Sequence, residues 1–149
     1  MRVRPLAAGT IDALVASEPT PSLAESRGAH PLATLGGMGN VSPILIVART
    51  RVLEQHPDRA VKFLKGLVKA AAFVKTHPDE TAELLSTATG LKPELVKEAM
   101  ARHSYSLTLD ESIFKSLEQT AHFLESKKRI KEIPDFETVI DAQHLQQAR

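Results

Sequence analysis

Three segments of the sequence open with a proline beside an acidic residue and continue with helix-forming residues: HPDRAVKFL, HPDETAELL and KPELVKEAM. A proline in the first turn of a helix loses nothing, because its missing N–H would have no partner inside the helix. The neighbouring acid favours the positive end of the helix dipole. The pattern therefore predicts helices that begin at Pro57, Pro78 and Pro93. Their unequal spacing argues against a solenoid repeat.

The first of these helices has an apolar face. Val61, Leu64, Val68 and Ala71 recur at helical spacing, whereas the lysines of the same segment point elsewhere. This periodicity predicts an amphipathic helix that packs its apolar face against a core.

Two more helices are predicted in the last third of the chain. Thr108 and Glu111 have the spacing of a capping box, which predicts a helix start. The cations of SKKR suit the negative end of that helix and mark its end. Pro134 and Asp135 precede a last short helix from Phe136 to about residue 146.

Short apolar runs in the first third of the chain predict strands. Residues 11–16 (IDALVA) lie between Gly9 and Pro19, and residues 44–48 (ILIVA) are continuously apolar and rich in β-branched side chains. Residues 29–35 are a third, brief candidate. Between the strands, residues 20–27 are predicted to form a short helix, with Gly28 past its end.

The predicted fold class is therefore α/β, with two or three short strands followed by about five helices. Parallel strands that are buried on both faces need more sheet around them, since sheets commonly hold about four to six strands. We expect the chain to be an incomplete part of a larger α/β body.

Charge and composition exclude several kinds of partner. The chain carries 19 Lys plus Arg against 18 Asp plus Glu, with no basic stripe, so no nucleic-acid partner is predicted. Five Phe, one Tyr and no Trp leave little for a stacking platform, and the absence of Cys excludes thiolate sites. The first eight residues lack the apolar segment of a secretory signal, and no stretch approaches the roughly 18 apolar residues of a membrane span.

Three segments, taken in order, resemble a known family: AAGTIDALVASEP, SPILIVARTRVLEQHPDRAVKFLKGLVKAAAFVKTHPDETAELL and SLTLDESIFKSLEQTAHFLESKKRIKEIPDFETVID. They are similar to the C-terminal half of the substrate-binding proteins that serve ABC importers for nitrate, sulfonates and taurine. These proteins have the periplasmic-binding-protein-like type II fold. The resemblance covers nearly the whole chain and rests on the order and spacing of its parts, because no single part is specific.

The resemblance implies an incomplete two-lobed fold with a ligand cleft. By this analogy residues 1–36 form the end of the second lobe and the cleft rim, residues 37–43 a crossover loop, and residues 44–149 a returning strand and the C-terminal helices of the first lobe. It implies an ABC permease as partner of the full-length protein, which would be periplasmic or tethered outside the cytoplasm, although no signal peptide is recognised in this chain. The family's first half has no counterpart here, so we expect this chain alone to bind weakly or not at all.

The polar residues that directly follow the first predicted strand form the candidate ligand site. Ligands of open α/β sheets bind outside the carboxyl ends of strands, where Ser17, Glu18, Pro19 and Thr20 would lie. The Glu18 carboxylate would accept a hydrogen bond from an ammonium or amide group of the ligand, or orient an arginine that binds a small-molecule anion. The alternative is that Glu18 only ends the strand and faces water. Relatives often have Trp where this chain has Ser17. The loop GGMGN, which ends at Asn40, would offer backbone N–H groups to an anion or serve as a plain crossover.

No metal, cofactor or catalytic site is predicted. The six histidines are scattered, with none at the i, i+4 spacing of paired ligands and none in a Glu-x-x-His motif. A Gly-x-Ser-x-Gly elbow is absent, and no pair of carboxylates stands out for acid–base work. The sequence therefore predicts a protein that is not an enzyme.

Two alternatives stay open. Some enzymes of the same fold resemble pyrimidine synthases of thiamine biosynthesis, which use a bound cofactor and catalytic His or Cys residues; this sequence has no Cys and no His-rich segment. A truncated interaction or structural module would instead expose strand edges, which are free to pair with a second copy as a homodimer.

Overall fold

The structure is a computed structural model that describes residues 3–34 and 43–149. In these two ranges the chain forms the helices α1 (Val3–Ala7), α2 (Thr20–Glu25), α3 (Thr50–Gln55), α4 (Pro57–Thr76), α5 (Pro78–Thr89), α6 (Pro93–Ala101), α7 (Glu111–Ser126), α8 (Phe136–Val139) and α9 (Gln143–Ala148). No residue in the two ranges belongs to a strand. The predicted crossover loop at 37–43 lies outside the described residues, apart from Pro43.

The predicted α/β fold class, with two or three short strands in an incomplete two-lobed fold, is therefore wrong for the described residues. Residues 11–16, 29–34 and 44–48 have no regular structure. Apolar, β-branched composition favours a strand only where neighbouring strands supply hydrogen bonds and side-chain contacts. The described residues supply neither, and Ile44 and Val47 are 92% and 88% exposed.

The three helix starts predicted from proline are confirmed. Helices α4, α5 and α6 begin at Pro57, Pro78 and Pro93. Helix α5 ends at Thr89, and its C-cap Gly90 has a left-handed φ of 71° and donates its N–H to the carbonyl of Ser86. Glycine adopts this conformation without the steric penalty that a Cβ would impose. The short helix α2 also follows the prediction, and Gly28 lies past its end with φ of 91°.

The start of α7 differs from the predicted capping box. Asp110, rather than Thr108, is the N-cap, and its carboxylate accepts hydrogen bonds from the backbone N–H groups of Ser112 and Ile113 at 3.1 and 3.2 Å. The hydrogen bond from the Ser112 side chain, followed by the Ile113 N–H, lowers the pKa of Asp110. The charged carboxylate is the stronger acceptor for the unpaired N–H groups of a first turn, which explains the shift of the cap.

The single helix predicted near the C-terminus is wrong, because two short helices, α8 and α9, occupy its place. Asp135 caps α8 by accepting from the N–H of Glu137 at 3.0 Å. Asp141 separates the two helices, since its carboxylate accepts from the N–H of Gln143 at 2.8 Å and contacts Nδ1 of His144 at 2.6 Å. Burial works to raise the pKa of Asp141, but these hydrogen bonds lower it.

Two compact units make up the chain. The described residues of the first lie within Met1–Thr34 and Ala71–Tyr105, and those of the second within Leu35–Ala70 and Ser106–Arg149. In the first unit α2 packs on α1 and on α6, and α5 packs on α6. Two apolar clusters form its core: Val3 with Leu23 and Ala24, and Ala82 with Val96 and Met100. In the second unit Ser116, Ala121 and Ala148 are buried.

The apolar face of α4 is only partly covered. Val61, Leu64, Val68 and Ala71 are half-buried, and α4 contains no fully buried residue. The predicted core packing of this helix is thus only partial. Among the helices of ranges 3–34 and 43–149, none is both long and apolar enough to cross a membrane.

Candidate functional site

The predicted site residues lie where an irregular segment enters α2. Pro19 is the N-cap of this helix, and the N–H of Thr20 donates to the carbonyl of Ser17 at 3.2 Å. The Glu18 side chain turns back onto the first helical turn, because its Oε2 accepts from the N–H of Ser22 at 3.2 Å. Glu18 therefore supplies the cap that the side chain of Pro19 cannot provide.

Arg102 joins Glu18 to two further carboxylates. Its Nη1 donates to Glu18 Oε1 at 2.9 Å and to Glu25 Oε1 at 2.8 Å. Its Nη2 donates to Glu25 Oε2 at 2.9 Å and to Glu98 Oε1 at 2.8 Å. We call these four residues the Arg102 cluster. Since Glu25 lies on α2 and Glu98 on α6, the cluster ties these two helices together.

The positive and negative charges of the Arg102 cluster do not balance. One guanidinium meets three carboxylates, so the cluster keeps a net negative charge. The bidentate hydrogen bond from Arg102 lowers the pKa of Glu25, and the same contact, with that to Glu18, raises the pKa of Arg102 above its already high value. Both groups therefore stay charged at neutral pH.

The three carboxylates differ in how firmly they are held. The Glu18 side chain is 8% exposed, that of Glu25 23% and that of Glu98 49%. Glu25 makes a bidentate pair with Arg102, whereas Glu98 makes a single hydrogen bond. An exposed, single-contact ion pair is weakly stabilising. Glu98 is consequently the most weakly held of the three carboxylates.

A small cavity of about 150 Å³ opens beside this cluster. Glu18, Pro19, Met100, His103 and Tyr105 are among the residues that line it. The rings of His103 and Tyr105 meet edge to face, with centroids 6.2 Å apart. Burial raises the pKa of Tyr105, so its hydroxyl is neutral at physiological pH. The cavity thus offers one carboxylate, two rings and an apolar floor to a small solute.

The structure brings some of the predicted site residues together and leaves others untested. Glu18 and Pro19 share the small cavity, while Ser17 is exposed and Thr20 is half-buried at the start of α2. Asn40 lies outside the described residues. Whether these residues contact a ligand remains a prediction.

Arg102, Glu25 and Glu98 were not predicted as parts of the site. The spacing of Glu98 and Arg102, four residues apart on one helix, is a local signal that sequence analysis can find. Arg102 and Glu18 lie 84 positions apart in the sequence, so no local pattern predicts that they pair.

Two other histidines, His77 and His144, do not line this cavity. His77 stacks on Phe73 with ring centroids 4.6 Å apart, and His144 pairs with Asp141. Within residues 3–34 and 43–149 there is no group of three His, Cys, Asp or Glu side chains that could hold a metal ion.

Comparison with known proteins places the chain in a family. The family model described as "NMT1/THI5 like" matches residues 1–81. A protein of Bacillus subtilis (strain 168) named "Putative aliphatic sulfonates-binding protein" is 31% identical over 142 residues, which cover 94% of this chain and 43% of the relative. Another protein of this strain, "Putative binding protein YtlA", is 32% identical over 108 residues, or 67% of this chain and 32% of the relative.

The chain thus spans less than half the length of these two relatives. No solved structure matches it significantly. The resemblance drawn from the sequence is confirmed at the level of the family, because the family model matches residues 1–81 and the first of these relatives is similar over 94% of the chain. The chain belongs to the NMT1/THI5-like family.

Proposed function

We propose that the chain is part of the solute-binding component of an ABC importer for a small anionic compound such as a sulfonate, taurine or nitrate. The observation that carries this proposal is the 31% identity, across 94% of this chain, to a relative named for binding aliphatic sulfonates. Both relatives carry binding-protein names, which supports a binding role over an enzymatic one. In this proposal the full-length protein works outside the cytoplasm and delivers its solute to an ABC permease.

The proposed solute site combines the predicted residues with Arg102. Taurine carries a sulfonate and an ammonium, and the site offers a partner of opposite charge to each. The carboxylate of Glu18 has lone pairs left to accept from the ammonium. The sulfonate takes the Arg102 Nη2 hydrogen bond that Glu98 holds in the unliganded chain at 2.8 Å. Ser17, Pro19, Thr20 and Asn40 are proposed to complete this wall of the site.

The exchange at Arg102 is physically reasonable because it replaces one anion by another. The guanidinium has its four terminal N–H groups engaged by carboxylates, so an anion reaches one of these four groups only as a carboxylate leaves it. Glu98 is half exposed and returns to water at little cost. The remaining charge of Glu98 still repels the anion, which limits the affinity.

A titration of the chain with small solutes tests this function. We would record two-dimensional NMR spectra of the ¹⁵N-labelled chain with taurine, ethanesulfonate and nitrate, and with ethyltrimethylammonium as the cationic control. We expect weak, saturable shifts of the backbone signals near Glu18 and Arg102 with the anions and none with the cation. Shifts of equal size with the cation, or no shifts with any anion, would count against the proposal.

A homodimer is a second proposal. Strand edges cannot be its basis in the described residues, which contain no strand, but exposed apolar residues favour it. Ile44 and Val47 are 92% and 88% exposed in an apolar run, and such surfaces tend to associate. Light scattering across a range of chain concentrations tests this association. We expect a dimer that the double variant Ile44→Lys, Val47→Lys converts to a monomer, and a monomer at every concentration would argue against it.

A further inference from the structure

A wider cavity, of about 440 Å³, lies in the first unit beside α6 and holds none of the predicted site residues. Its volume falls in the range of small-molecule sites, about 300 to 1,000 Å³. Val74, Met100 and Ala101 contribute apolar side chains to its walls. Met100 is buried and belongs to the apolar core cluster, so this part of the wall is firmly packed.

Two lysines give the cavity a cationic rim. Lys75 and Lys97 both line it. Lys97 pairs with Asp79, and both side chains are largely exposed. Lys75 forms no ion pair with any residue in ranges 3–34 and 43–149, so its charge is available to a ligand.

We propose that this cavity binds an amphiphilic anion, namely an aliphatic chain that ends in a sulfonate or carboxylate group. The aliphatic chain lies against Val74, Met100 and Ala101, and burial of its apolar surface drives the binding. The anionic group stays at the solvent-exposed rim and pairs with Lys75. A cation of the same shape meets the charge of Lys75 and is rejected.

This site differs from the one proposed around Glu18, although the two cavities share the wall formed by Met100, His103 and Tyr105. The Arg102 cluster has a net negative charge, whereas the rim of the wider cavity is cationic. The two sites also differ in size, because the wider cavity has a volume of about 440 Å³ and the other about 150 Å³. The inference does not depend on the proposed import function.

Tyr105 provides a direct optical probe of this cavity. It lines the cavity, and it is the chain's only tyrosine in a sequence without tryptophan. We would titrate the chain with hexanesulfonate and hexanoate and follow tyrosine fluorescence. Hexyltrimethylammonium is the control with the same chain and the opposite charge, and ethanesulfonate is the control with the same head group and a short chain. We expect a saturable change with the two six-carbon anions and at least a tenfold weaker response to either control.

Substitutions decide whether the wider cavity is the binding site. Lys75→Gln should weaken hexanesulfonate binding about fivefold, as expected for the loss of one exposed charge contact. Lys69→Gln is the matched control, because Lys69 lies on the same helix and does not line the cavity. Ala101→Phe, at an exposed position, should fill the cavity and abolish binding while the circular dichroism spectrum stays unchanged.

Three results would overturn the inference: equal binding of the six-carbon cation, equal affinities for Lys75→Gln and Lys69→Gln, or undiminished binding by folded Ala101→Phe. Failure of the import proposal would give a different result. Taurine and nitrate would then leave the NMR signals near Glu18 and Arg102 unchanged, while hexanesulfonate would still bind in the wider cavity.

Discussion

Met100 should be the side chain on which the stability of the first unit most visibly depends. It is 8% exposed, packs with Ala82 and Val96 in the cluster between α5 and α6, and forms the wall between the two cavities. Truncation of a buried Met to Ala costs about 2 to 5 kcal/mol, depending on how much empty volume remains. Met100→Ala opens onto cavities that water can already enter, so little sealed void remains. We therefore expect a cost of about 2.5 kcal/mol, near the lower end of this range.

This cost corresponds to a fall in melting temperature of about 5 to 10 °C for a chain of this size. Urea unfolding followed by Tyr105 fluorescence measures the change, since Tyr105 lies in the same unit. Leu84→Ala is the matched control on α5, because Leu84 is 58% exposed and its truncation should change the free energy of unfolding by less than about 0.5 kcal/mol. If Met100→Ala were as stable as Leu84→Ala, the packing described for α5 and α6 would be incorrect.

Two further predictions concern charged groups. Arg102→Met should destabilise the folded chain at neutral pH. The ion pair with Arg102 lowers the pKa of Glu25 below its ordinary value of 4.5, so the pair stabilises the folded state above pH 4.5. This stabilisation is lost as the pH falls through the lowered pKa of Glu25 in the folded state. The difference in melting temperature between wild type and Arg102→Met should therefore narrow below about pH 5. Arg27→Met is the control, and its difference from wild type should not depend on pH. A difference for Arg102→Met that stays constant with pH would contradict the role of Glu25. Asp110→Ala should lower the melting temperature and the hydrogen-exchange protection of the first turn of α7, whereas Asp110→Asn, which keeps a side-chain acceptor, should lose less. Equal losses in the two variants would mean that the cap is not what holds this turn.

The helices of the middle of the chain could be predicted because their signals are local. A proline at a helix start acts on its own turn, and Pro57, Pro78 and Pro93 each begin a helix. The end of α7 before Lys127 follows from the same kind of local charge preference.

The strands could not be predicted correctly because a strand is not a local structure. The apolar run at 44–48 has the composition of a strand, but a strand forms only against a partner. In the described residues no partner pairs with it, and its side chains are largely exposed. Composition alone is therefore not sufficient to predict a sheet, because each strand also requires a neighbouring strand.

The candidate site shows both kinds of outcome. Glu18 was identified by its position at the exit of an apolar segment, and it does lie at a cavity. The arginine beside Glu18 is Arg102, which only the packing of α2 against α6 brings near. Contacts of this range depend on the fold, so residues such as Glu25 stay hidden until the helices are placed.

A comparison of two charge-neutralised variants tests the proposed solute site most directly. Glu98→Gln removes the carboxylate that we expect an anion to displace from Arg102, and Glu94→Gln removes the same charge from the first turn of the same helix. Calorimetric titration with taurine should give about fivefold tighter binding for Glu98→Gln, because one nearby repulsive charge is lost. Glu94→Gln should bind like wild type. Equal affinities for the two variants, or no binding of taurine by any of them, would contradict a solute site at Arg102.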